Sequence, residues 1–195
     1  MKKQKMNSKK RKNIKNIAGF VMVEMLVAVS LILLVLPGTL AIASKALSIS
    51  SYQKNQMIAT YLAEEGQELV RSVRDKNVLT ILRDGSGSWD AGFSSGKCTV
   101  TPCTIDIIGE TMTAGSGNLD NLSIAPNATY RLYTDANGFY SHTASGNPTI
   151  FYRGIFVTPA VGHTDQVNIR SVVVWDTPSG RKKVEFPGFL AYWLQ

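Results

Sequence analysis

Glu24 is the residue whose chemistry most needs explaining, because it is the only ionisable side chain in an apolar run of 24 residues, 20–43. A carboxylate within a membrane span costs on the order of 2.5–3.5 kcal/mol at the helix centre, so it is rarely kept without a partner. The other candidates for chemistry are weaker. Gly92-Phe93-Ser94-Ser95-Gly96 matches G-x-S-x-G, but a nucleophile elbow needs a strand before the serine and a helix after it. This match lies in Gly/Ser-rich sequence, and chance explains it. His142 and His163 are the only histidines, show no H-E-x-x-H or other ligand spacing, and read as exposed loop residues. The stretch Asp84-Gly85-Ser86-Gly87-Ser88-Trp89-Asp90 alternates oxygen-bearing side chains as a calcium loop would. It lacks the closing bidentate Glu and reads as a flexible turn. Asn121-Leu122-Ser123 and Asn127-Ala128-Thr129 fit the glycosylation sequon by pattern, and such triplets arise often by chance. We expect no enzyme, no metal site and no cofactor.

The elements that must position Glu24 follow from charge and hydropathy. At 195 residues, with Gly 16 and Pro 7, the chain has room for one domain plus an extension and is neither fibrous nor disordered in composition. Its net charge of +7 is unevenly placed: Lys2, Lys3, Lys5, Lys9, Lys10, Arg11, Lys12 and Lys15 give residues 1–19 a charge of +8, leaving the rest at −1. The run 20–43, as a helix, is about 36 Å long at about 1.5 Å per residue, enough to cross a hydrocarbon core of about 30 Å. The positive-inside rule then keeps residues 1–19 in the cytoplasm and sends residues 45–195 across. Topology accounts for the basic tail, so no nucleic-acid partner is expected. Cys98 and Cys103, four residues between them and outside the cytosol, read as a small disulfide in preference to a zinc clip; the alternative is two free thiols.

Three readings of the first 45 residues compete. A cleaved secretory signal would end at Ala41-Ile42-Ala43 and release Ser44 onward. An uncleaved signal anchor is the second, and Glu24 sits awkwardly in both. The third rests on a resemblance: the basic leader ending in Gly19, then Phe20, three apolar residues and Glu24, resembles the processing signature of type IV prepilins and pseudopilins, most like a minor or accessory pilin. That resemblance implies a prepilin peptidase cutting between Gly19 and Phe20, N-methylation of Phe20 by the same peptidase/methyltransferase, and Glu24 as fifth residue of the mature chain. In a bundle of such helices a carboxylate one turn along reaches the free amine of a neighbour, and each charge neutralises the other in an apolar core. Pro37 comes somewhat early for the family's kinking proline, with Gly38 directly after it.

Beyond Ser44 the helical pattern continues without proline to Lys76, with Ala59, Leu62, Gly66, Leu69 and Val73 on one stripe and Glu64, Glu65, Glu68, Arg71, Arg74 and Asp75 on the wet side. Residues 84–127 are rich in Gly, Ser, Thr and Asn and predict long loops with one or two short strands. Strands are predicted over 130–133, 148–157, 166–176 and 182–194, the last interrupted by Pro187-Gly188, with turns at Asp135-Ala136-Asn137-Gly138 and Thr177-Pro178-Ser179-Gly180. Alternation in 166–176 predicts one buried face, with Trp175, Phe186 and Phe189 lying on the helical stripe. The expected fold class is α+β, a long N-terminal helix packed on a C-terminal antiparallel sheet of three to five strands, as in pilins. The expected parts are a leader (1–19), a transmembrane and assembly helix (20–44), an amphipathic outer half of the spine (45–77) and an extracytoplasmic β domain (78–195).

The resemblance implies a structural subunit of a type IV pilus or type II secretion-like pseudopilus. Its expected partners are the peptidase, other pilin subunits, an inner-membrane assembly platform, and membrane lipid before assembly. The expected location is the cytoplasmic membrane in a single pass, then a filament at the cell surface or in the periplasm. The alternative is a membrane-anchored or secreted binding protein that displays residues 84–195 to a glycan, DNA or another surface without forming a filament.

Overall fold

In the computed structural model, residues 20–93, 96–107 and 111–193 are described in full and residues 2–19 by their backbone alone. The chain is α+β and divides into two units, Met1–Ser51 and Tyr52–Gln195.

Helix α1 spans Lys2–Asp84 and contains Pro37, whose missing N–H leaves the Leu33 carbonyl without its usual intrahelical donor. It passes the expected end at Lys76 and stops at Gly85. There φ of +68° allows the left-handed cap in which Gly85 N donates to Ile81 O at 2.9 Å. In the first unit every fully described side chain, from Phe20 to Ser51, is exposed. A stretch of α1 is long and apolar enough to cross a membrane by length and composition.

The second unit has three layers. Its middle layer is a seven-stranded antiparallel sheet built around three long strands, β5 (Asn147–Pro159), β6 (Gln166–Thr177) and β7 (Gly180–Ala191), paired in sequence order. Short strands β1 (Cys103–Thr104), β2 (Thr113–Ala114), β3 (Arg131–Thr134) and β4 (Tyr140–Ser141) extend the other edge of β5. The two turns expected from Asn137-Gly138 and Ser179-Gly180 form with positive φ at Gly138 and Gly180, and the Asp135 carboxylate accepts from Asn137 N and Phe139 N.

One face of the sheet receives the helix. Ala59, Leu62, Ala63, Val70 and Val73 are buried against Phe151, Ile155, Val157, Ile169, Val173, Trp175 and Leu190. The approach is close because Gly66 carries no side chain. A Cβ there would stand 2.6 Å from Ser171 Oγ and 3.2 Å from Arg153 Cδ, and one at Gly188 would run into the Gln67 amide.

Three expectations are corrected. The sheet has two buried faces, since residues 171–175 are buried without alternation and Leu119, Tyr130 and Pro102 lie over Tyr152, Gly154, Val172 and Val174. The loop-rich segment is therefore the cover of the second face. Tyr130 fixes that cover by donating its hydroxyl to Pro102 O at 3.3 Å and Gly117 O at 3.2 Å. Phe189 is not on the helical face: β7 runs unbroken through Pro187, so Phe186 and Phe189, three apart, point to opposite sides. A proline is tolerated in this edge strand because its missing N–H can face outward. The sheet also exceeds the expected three to five strands, through pairs of residues too short to show a period.

Candidate functional site

The side chains singled out by sequence fall into separate units. In the first, Phe20 and Glu24 are one turn apart and line a groove with Val23, Val27, Ala28 and Leu31, the three-four spacing of a single helix face. Phe20 is 74% exposed, and nothing within the described chain covers this seam. This uncovered apolar face belongs to the stretch of α1 that is long and apolar enough to cross a membrane, and it carries one carboxylate. Gly19 and the expected leader, residues 1–19, lie outside the fully described residues, as does Ser94 of the G-x-S-x-G match.

In the second unit Cys98 and Cys103 form a disulfide, both sulfurs buried in the cluster that holds Val70, Phe93 and Ile155. Cys98 O accepts from Val157 N at 3.0 Å and Cys103 pairs with Ile155, so the small loop they close is fastened along the edge of β5.

The main polar constellation was not anticipated from sequence. Arg153 is completely buried and donates through Nη1 to Leu62 O at 3.3 Å and through Nη2 to Ile105 O at 3.1 Å, with Glu65 Oε1 at 3.3 Å from Nη1. Burial pulls its pKa down while the charges of Glu65 and Asp106 push it up, and burial prevails. His142 is not an exposed loop residue: its side chain is 8% exposed, Nδ1 stands 2.8 Å from Asp106 Oδ1, its backbone N donates to the same oxygen at 2.7 Å, and Nε2 lies 3.1 Å from Arg153 O. Burial raises the Asp106 pKa, but the two His142 hydrogen bonds and the nearby positive charges outweigh it and hold the carboxyl below the usual range. One side chain thus ties the helix, the sheet and the cover together. Arg153 shares the inward parity of Phe151, Ile155 and Val157, and a charged residue at that position in an apolar alternation was the available signal.

No family model matches the chain. Compared with family models, with curated proteins and with solved structures, it finds no counterpart in any of the three. Its chemistry must be argued from its own residues. Among the described residues no group of three or more His, Cys, Asp or Glu side chains could hold a metal ion. The His142–Asp106 pair leads to Arg153 O and not to a nucleophilic hydroxyl or thiol, so it orders the structure. His163 is 57% exposed, with Nδ1 at 3.9 Å from Asp165, in the turn between β5 and β6.

Proposed function

We propose that this chain is the precursor of a minor pilin or pseudopilin: a structural subunit cut between Gly19 and Phe20, methylated on Phe20, and assembled through its N-terminal helix into a type IV pilus or type II secretion-like pseudopilus. The observation that carries the reading is the seam of Phe20, Val23, Glu24, Val27, Ala28 and Leu31, apolar, uncovered, and bearing one carboxylate a turn from the proposed new amine. Before assembly that seam lies in lipid, residues 1–19 stay in the cytoplasm and the second unit stands outside. In the filament the Glu24 carboxylate takes a neighbour's Phe20 amine as its partner, which removes two isolated charges from an apolar interior. The peptidase, the neighbouring subunits and the membrane assembly platform are the partners this requires.

The test is the N-terminus and intact mass of the native protein, isolated from membrane and sheared surface fractions. A chain that starts at Phe20 and carries one methyl supports the proposal. A start at Ser44 makes the protein an exported one with a conventional signal, and a start at Met1 makes it a simple anchor; either result removes the filament reading.

A further inference from the structure

The cover over the second face of the sheet stops short. Beyond Tyr152, Gly154, Val172 and Val174 lie two more cross-strand rows: Phe156, Arg170 and Pro187, in which Phe156 is buried under the Arg170 guanidinium, then the more open Thr158, Asn168 and Phe189. A recess of about 310 Å³ lies there, lined by Thr99, Phe156, Thr158, Asn168, Arg170 and Pro187. That is at the small end of ligand sites, room for one ring and not for an extended chain. Its side wall is the disulfide loop, held in place where Thr99 Oγ1 donates to Val157 O at 3.1 Å.

The chemistry of the recess is neutral. Arg170 stacks on the Phe156 ring at 4.2 Å and pairs with Asp120 at 2.8 Å and Glu185 at 3.3 Å, while Lys183 pairs with the same two carboxylates. Two cations face two anions, so no charge is left over to recruit an ionic ligand. Asn168 and Thr158, by contrast, make no side-chain hydrogen bond to any described residue. Their cross-strand neighbour Phe189 is 66% exposed, an aromatic face open to solvent on the same side of the sheet. With adjacent cross-strand Cβ atoms about 5 Å apart, the row from Thr158 to Phe189 spans about 10 Å. Free amide and hydroxyl groups beside an unoccupied aromatic face offer a hydroxyl-rich ring both kinds of contact it can make, polar at its edge and apolar on its face.

We propose that the rim of this recess binds a neutral saccharide, one pyranose ring with its hydroxyls on Asn168 and Thr158, which line the recess, and its apolar side against Phe189, which flanks it. The inference does not rest on filament assembly, since every residue in it belongs to the second unit. The test uses the full chain in phosphatidylcholine nanodiscs, free of sugar-headed detergent. It is titrated with glucose, galactose, N-acetylglucosamine and N-acetylgalactosamine, with N-acetylneuraminic acid as the anionic comparison, and read by saturation-transfer NMR. At least one neutral sugar is expected to bind with Kd of about 1 mM, and Phe189→Ala and Asn168→Ala are each expected to weaken it about tenfold. Both positions are exposed, so the thermal melt should not move; if either variant does unfold, Thr158→Val provides the same reading. Three results overturn the proposal: no neutral sugar binding tighter than about 10 mM, unchanged binding in the variants, or preference for the anionic sugar.

Discussion

Glu24→Val removes the carboxylate and leaves Gly19-Phe20 in place. The variant should therefore still lose its leader but enter sheared filaments at a small fraction of the wild-type amount by immunoblot, whereas Gly19→Leu should keep the leader attached. Wild-type incorporation of Glu24→Val would sink the pairing argument. Gly66 sets a second test at this scale. Gly66→Ala gains about 1 kcal/mol of helix propensity, yet its Cβ would stand 2.6 Å from Ser171 Oγ and 3.2 Å from the buried Arg153 side chain. Because Arg153 is held by partners on two other segments and cannot retreat, overpacking should prevail, at a net cost of about 1–3 kcal/mol in urea denaturation followed by tryptophan fluorescence. Gly66→Ala combined with Ser171→Gly should recover much of that loss. A double variant as unstable as the single one would place the cause elsewhere.

Among the elements, the one that fastens Asp106 to His142 carries a pH dependence of definite sign. The folded-state pKa of Asp106 is lowered, so its contribution to stability is fully present above the unfolded value of about 3.9 and is lost as pH falls through the folded value. Asp120, lowered from the usual value although burial raises it, because Lys183 and Arg170 hydrogen-bond to it, acts in the same direction. Melting temperature should fall as pH is taken from about 5 to 3, and Asp106→Asn, which keeps an acceptor for His142 N but cannot titrate, should shallow that fall. How much of these elements could be read in advance depended on period. The spine was legible as far as Lys76 because 45–76 is a proline-free run with a three-four stripe, and β5 and β6 because their β-branched residues run long enough to show a pattern. The cover was not. It is held by side chain to backbone bonds such as Tyr130 to Pro102 and by two-residue strands, which leave no periodic trace. Pro187-Gly188 looked like a break because an edge strand is recognisable only once its partner is known. Of the candidate site, the Phe20 to Glu24 spacing was visible in full, while the Arg153 constellation depends on contacts between residues 91 and 48 positions apart.

For the molecule as a whole, the two units ask different things of their surroundings. The first has its apolar side chains exposed from Phe20 to Ile49, and the second has its own core. A chain beginning at Tyr52 is therefore expected to stay folded and monodisperse without detergent, while the full chain requires lipid or detergent, as size-exclusion chromatography of both would show. Aggregation of the shorter chain would mean that the second unit depends on the first.

The close seat of the helix on the sheet also fixes a schedule. Arg74 Nη1 donates to Ala191 O across 117 residues of sequence, and Gln67 is fitted against Gly188, so this part of the helix's inner face waits on the last strand to be made. At about 5–20 residues per second, roughly 6–23 s separate synthesis of Arg74 from that of Ala191. The first sheet partners come sooner, with β5, but Leu190, which shares a cluster with Val70 and Val73, comes only at the end of that interval. A chain truncated before β7 is therefore expected to leave part of the helix's inner face uncovered.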